Sequence, residues 1–273
     1  MSLQQSDVMM KFFSIIALAA AVAAAAQADV YEYEPGAFDK LVVRADIDVV
    51  YRNVPDSTGY IRYESDRDFS KKLDVSCSKG KLVIVDKMTD EDYGKLPTLY
   101  LYSDYLVSVS YEGTGYADIE LQSATPSFSA KLTGNGRVVC TGINTTDFSA
   151  NIVTGNGTIV ARGKCRKAKF TLTGTGVIQA DGLVADAVSC SVLGTGSIGC
   201  RPLDTLDVRG VGSTKIYYYG DPKIKKMGGA KLERMASDDD PQPIGERRQA
   251  SAAKQLPVGE REPDEEWTDE SED

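Results

Sequence analysis

Chemistry in this chain would fall to carboxylates, lysines, cysteines and tyrosines, because its 273 residues include no histidine. The commonest general base and metal ligand is therefore missing. Ser-His-Asp catalysis, Cys-His catalysis and His-ligated zinc are excluded with it. Carboxylate pairs remain. A strand-rich enzyme acting on acidic polysaccharides would stack several carboxylates on neighbouring strands for calcium binding or acid–base work. The positions expected to face outward read Arg137, Thr158, Val177 and Ser197 in one column, then Val139, Val160, Gln179 and Gly199 in the next. Neither column holds a carboxylate. Asp118 and Asp181 stand alone and read as turn or surface residues, and the Gly-Gly-x-Gly-x-Asp calcium repeat is absent. No catalytic residue, metal or cofactor is assigned.

Polar and aromatic residues suited to binding are more numerous. Thr114, Asn135, Asn156, Thr175 and Thr195 each stand between two glycines. Stacked, they would hydrogen-bond along the stack or present a polar ridge to a glycan. The chain has 14 tyrosines, clustered at Tyr100 to Tyr111 and at Tyr217 to Tyr219. Such rings either cover the ends of a sheet stack or lie against sugar rings. Five cysteines invite a disulfide reading in an exported protein. Cys140 and Cys200 share a column but stand roughly 14 Å apart at the strand spacing, too far to bond. Cys190 reads as a small buried hydrophobe, and no disulfide is expected within the repeats.

The element that positions these residues is a repeat. Gly-x-Gly recurs as Gly113 and Gly115, Gly134 and Gly136, Gly155 and Gly157, Gly174 and Gly176, Gly194 and Gly196, and Gly210 and Gly212, at spacings of 21, 21, 19, 20 and 16 residues. Around each pair, apolar residues alternate with polar ones at the period of a strand. Ala130, Ala150, Phe170 and Cys190 fall in one equivalent column, and Leu132, Ile152, Leu172 and Val192 in the next. After the glycines, Val138, Ile159, Ile178 and Ile198 form a third column, and Cys140, Ala161, Ala180 and Cys200 a fourth. A single unit cannot bury such columns, but stacked units can. The expected fold is all-β: a parallel β-helix of Gly-x-Gly rungs over residues 112–236. A meander of antiparallel hairpins with Asn-Gly turns is the rival, but it leaves the common phase of the columns unexplained. Residues 29–111 also read as strands, which should form a region capping the end of the helix.

Both termini differ from this body. An apolar run from Phe12 to Ala26 follows Lys11 and ends at Ala26-Gln27-Ala28, the layout of a secretory signal peptide over residues 1–28. Translation from Met9 or Met10 would give a cleaner signal. Residues 237–273 carry 13 acidic and 4 basic side chains, so the whole net charge of -9 belongs to them. This acidic, proline-bearing tail is expected to be disordered, with Glu265-Glu266-Trp267 as a candidate docking motif. The balanced body offers no footprint for nucleic acid, and membrane contact is expected only through the transient signal peptide.

The Gly-x-Gly rungs, the alternating strand after Phe38-Asp39-Lys40 and the ending Tyr219-Gly220-Asp221-Pro222-Lys223 resemble the auto-transporter adhesin head domain, or head GIN domain, over about residues 38–234. The resemblance implies a β-helical fold, an envelope setting of the kind met in exported Bacteroidetes proteins, and no known catalytic residue. The expected function is a non-catalytic surface module that binds a glycan or a surface protein. An envelope assembly factor acting through the tail and a polysaccharide-active enzyme are the alternatives.

Overall fold

The computed structural model describes residues 29–65, 71–87 and 96–235, and every regular element among them is a β-strand. The expected signal peptide and acidic tail lie outside the described residues. The first strands are β1 (Asp29–Tyr33), β2 (Lys40–Arg44), β3 (Val49–Asn53), β4 (Tyr60–Ser65), β5 (Leu73–Ser78), β6 (Lys81–Asp86), β7 (Leu99–Ser103), β8 (Ser108–Glu112) and β9 (Tyr116–Glu120). The repeats follow as β10 (Thr125–Thr133), β11 (Arg137–Ile152), β12 (Thr158–Leu172), β13 (Val177–Leu193), β14 (Ser197–Val211), β15 (Lys215–Tyr218), β16 (Lys223–Gly228) and β17 (Lys231–Arg234).

Strands β10 to β14 pair in sequence order and all in parallel, which excludes the hairpin meander. Each long strand serves two rungs. The first half of β11 pairs with β9 and its second half with β10, and the ladder shifts between Cys140 and Ile143, around Gly142. The result is a β-solenoid whose Gly-x-Gly turns join two parallel sheets. The register reproduces three of the four predicted columns throughout, and in the fourth it pairs Cys140 with Ala161 and Ala180 with Cys200. All sixteen of those side chains lie in the core, because alternation at period two sends every second residue inward.

The N-terminal strands divide into two kinds. β2 pairs in parallel with both β6 and β8, and β3 with both β7 and β9. They therefore extend the solenoid, and do so out of chain order: the rung β2–β3 lies between β6–β7 and β8–β9. Its residues lengthen the core columns, Leu41 lying between Leu82 and Val109, and Tyr51 between Leu101 and Ile119. The cap comes from the other strands. β4 runs antiparallel to β7, β1 antiparallel to β4, and β5 antiparallel to β6.

The opposite end is guarded differently. β16 pairs with β14, and β17 with β15. In the columns that are apolar elsewhere, Lys226 follows Val208 and Arg234 follows Tyr218. A charge at an inward position blunts an edge against further strand addition. The double substitution Lys226→Val and Arg234→Leu should therefore cause concentration-dependent association in sedimentation velocity. A variant no more associated than the parent chain would remove this role.

All five cysteines are free, and all but Cys77 are buried. Cys140 pairs with Ala161 and Cys200 with Ala180, so the two cysteines do not face each other in the ladder. Cys190 and Cys200, however, approach across the core closely enough for their thiols to hydrogen-bond, which with burial pushes the Cys190 thiol up. Burial pushes the Cys165 thiol up to about 12, helped by Asp186 and Asp147. A thiol reagent near pH 8 should accordingly label Cys77 first and reach the other four only in denaturant. Finding three thiols in denaturant instead of five would mean that Cys190 and Cys200 are oxidised to a disulfide.

Candidate functional site

The glycine turns lie against one another from rung to rung. The strands after the turns, and the close approach of each glycine to its counterpart one rung earlier, align Gly113, Gly134, Gly155, Gly174 and Gly194 in one column and Gly115, Gly136, Gly157, Gly176 and Gly196 in another. The sixth turn departs from the sequence reading. Gly210 lies in β14 opposite Val192, and Gly212-Ser213-Thr214 occupies the turn, with Lys215 paired to Ser197. The ladder shifts between Ala180 and Val184 and again between Ala185 and Ala187, and those bulges displace the last repeat by two residues.

Thr114, Asn135, Asn156, Thr175 and Thr195 form one exposed line. Part of their hydrogen-bonding capacity is used within the stack. Asn156 N–H donates to Asn135 Oδ1 at 3.0 Å, and Thr175 Oγ1 donates to the Gly155 carbonyl at 3.4 Å. The line continues where the sequence showed no glycine. Asp46 and Asp48 belong to the β2–β3 turn, and Asp46 Oδ1 accepts from Thr114 N at 2.6 Å and Thr114 Oγ1 at 3.0 Å. Asp48 Oδ1 accepts from Tyr116 N at 2.8 Å. The ridge is thus a seam between rungs as well as a surface.

The outer face of the sheet after the turns corrects two expectations. Val139, Val160 and Gln179 point out of the core yet are only 8%, 3% and 2% exposed. On one side they border the outward column that begins with Arg137; further along the strands come Arg162, Asp181 and Arg201, the two arginines close enough to act on the Asp181 carboxyl. Long side chains on such a surface cover shorter neighbours with their stems. Nor are the two aspartates isolated at the surface. Asp118 accepts from Arg52 Nη2 at 2.7 Å, and Asp181 is 7% exposed.

Burial pushes the Asp181 carboxyl above the usual carboxylate range, against a backbone hydrogen bond and the pull of Arg201 and Arg162. Since the folded state disfavours the charged form, Asp181 costs stability once pH exceeds the ordinary carboxylate value of ~4. Asp181→Asn should raise the thermal midpoint at pH 7, with the gain fading toward pH 3. An unchanged or lower midpoint at pH 7 would show that the two arginines outweigh burial.

A groove of about 520 Å³ runs across the outer face of the other sheet, from β10 to β14. Two outward columns line it. One reads Ser127, Asp147, Lys167, Ala187 and Thr205, the other Ser129, Ser149, Lys169, Ser189 and Asp207. Small residues dominate, so the face is recessed, and Ser149 Oγ lies 2.9 Å from Ser129 Oγ. Sequence reading missed this groove because its attention fell on the turns and on the columns after them. The Ser129-Ala130, Ser149-Ala150 and Ser189-Cys190 pairs before three of the turns were the available signal.

The sequence of residues 37–222 matches the family model described as "Putative auto-transporter adhesin, head GIN domain". The chain belongs to this family. Solved structures share the head GIN fold of this chain at low identity. A putative adhesin from Bacteroides fragilis NCTC 9343 is 21% identical, with a TM-score of 0.68 over 77% of this chain and 97% of its own. A putative lipid binding protein from Parabacteroides distasonis ATCC 8503 is 20% identical with a TM-score of 0.62, at the same coverage of both chains. A putative adhesin from Parabacteroides merdae ATCC 43184 gives 20% and 0.58, again over 77% and 97%. No curated protein matches the sequence. Among the described residues of this head GIN domain, no group of three or more Cys, Asp or Glu side chains is placed to hold a metal.

Proposed function

We propose that this protein is a non-catalytic, exported binding module of the cell envelope, which holds an extended surface polymer in the groove across β10 to β14. The groove itself carries the reading. It is open, crosses successive rungs, and offers hydroxyl and charged side chains at intervals of ~4.8 Å, close to the length that one pyranose adds to a polysaccharide. Its carboxylates are unsuited to hydrolysis. Asp147 and Asp207 lie three rungs apart, roughly 14 Å, whereas paired glycosidase carboxylates stand about 5–10 Å apart. Membership of an adhesin-like family and the secretory layout of residues 1–28 support the envelope setting.

The test is a glycan and matrix-protein array probed with the full mature chain, beside a Ser149→Trp variant that fills the groove and a chain ending at residue 236. Binding that survives loss of the tail and disappears in Ser149→Trp is the expected result. Partners captured only through the tail would instead make the protein an envelope assembly factor.

A further inference from the structure

The charge on the groove narrows its ligand. Lys167 and Lys169 take the two outward positions in the middle of the groove, and both are exposed. Neither makes a hydrogen bond or ion pair among the described residues, although Asp147 neighbours Lys167 in register. The same segment continues around the edge of the groove with Lys164 and Arg166, also exposed, and Arg166 only grazes Asp186 at 4.0 Å. Four cations thus fall within Lys164 to Lys169, at one level of the solenoid. The rungs on either side carry Ser149 and Ser189 at the positions matching Lys169, and Asp147 and Ala187 at those matching Lys167.

We infer that the groove binds an acidic polysaccharide, whose carboxylate or sulfate groups pair with Lys167 and Lys169 while its ring hydroxyls meet the serines. This rests on the groove being the binding face. The ammonium groups are compact point charges on flexible stems, so they suit anions presented at varied angles along a chain better than one fixed carboxylate. Charge-assisted hydrogen bonds to them are the stronger kind. The flanking Asp147 and Asp207 would repel a uniformly anionic surface, which favours a strand whose charges are spaced out by neutral sugar atoms over a phospholipid bilayer.

Three probes decide it, each applied to the full mature chain: polygalacturonate, neutral dextran, and vesicles rich in anionic phospholipid. Polygalacturonate should be bound, more weakly as salt rises. The double substitution Lys167→Gln and Lys169→Gln should weaken that binding ~10-fold or more. Lys215→Gln with Lys231→Gln, an equal charge change on the other sheet, should leave it intact. Equal losses in both variants would reduce the effect to general electrostatics and overturn the inference. Dextran binding insensitive to Lys167 and Lys169 would overturn it while leaving the polymer-binding function standing. Binding to vesicles alone would refute the polysaccharide, and silence toward all three and toward the array would remove the polymer-binding function as well.

Discussion

Replacing Phe148 by alanine should destabilise the protein by about 4 kcal/mol, read as a lower denaturant midpoint at an unchanged m-value. Phe148 is only 2% exposed, lies 6.1 Å from Phe128 in a near-parallel stack and 6.3 Å from Phe170 edge-on. The aromatic ring changes column at this point. Phe148 pairs with Ala168 on the next rung, and Ala150 pairs with Phe170. Each rung thus holds one phenylalanine and one alanine, in opposite order. Removing the ring leaves a void between the Phe128 and Phe170 rings and beside Ala168; the alanine has no side chain long enough to fill it, and cavity cost rises with residual volume. Adding Ala168→Phe to Phe148→Ala restores the ring one rung further along and should recover part of the loss. A cost below about 1 kcal/mol, as for a surface substitution, would contradict this packing.

Gly155→Ala should cost about 3 kcal/mol, from two separable causes. Gly155 has φ of +94°, a conformation that charges an L-residue ~1–2 kcal/mol. A Cβ there would also come within 2.7 Å of the Gly134 carbonyl carbon and 3.0 Å of its Cα. That backbone cannot withdraw freely, because Gly157 N–H donates to the Gly134 carbonyl at 3.1 Å and Thr175 N–H to the Gly155 carbonyl at 3.2 Å. Two controls divide the cost. Gly36 has φ of +98° with nothing near a Cβ, so Gly36→Ala isolates backbone strain. Gly174 lacks a positive φ but would place a Cβ 2.8 Å from the Gly155 oxygen, so Gly174→Ala isolates the close approach. Thermal or denaturant unfolding of the three variants should rank Gly155→Ala as the most damaging. If Gly36→Ala is as harmful, close stacking is not what the turn glycines serve.

Much of this architecture is legible residue by residue in the chain. A strand's side chains alternate at a period of two, and a solenoid repeats them in register, so the spacing of Gly134, Gly155 and Gly174 carries the phase of every inward position around them. Ala150 beneath Phe170, and Ile159 beneath Ile178, follow from that alone. Composition likewise decides the absence of histidine chemistry, and the family follows from the same repeats.

Contacts between residues distant in sequence are different in kind. That β2–β3 lies between β6–β7 and β8–β9 has no local signature, since a parallel strand reads alike whichever neighbour it finds. The carboxylates of Asp46 and Asp48 hold a turn there that glycine marks elsewhere. Bulges above Ala180 moved the sixth turn from Gly210 to Gly212, because a register depends on both strands of a pair. The groove was hidden for the same reason. Ser129, Ser149, Lys169 and Ser189 are ordinary polar strand residues in the sequence, and only stacking rungs about twenty residues apart at ~4.8 Å brings them into one recess with Lys167 and Lys169 exposed at its middle. The sequence alone thus determined which side chains face the core, because that depends on a local period, whereas the tertiary structure decided which outward residues share a surface, because that depends on how distant rungs align.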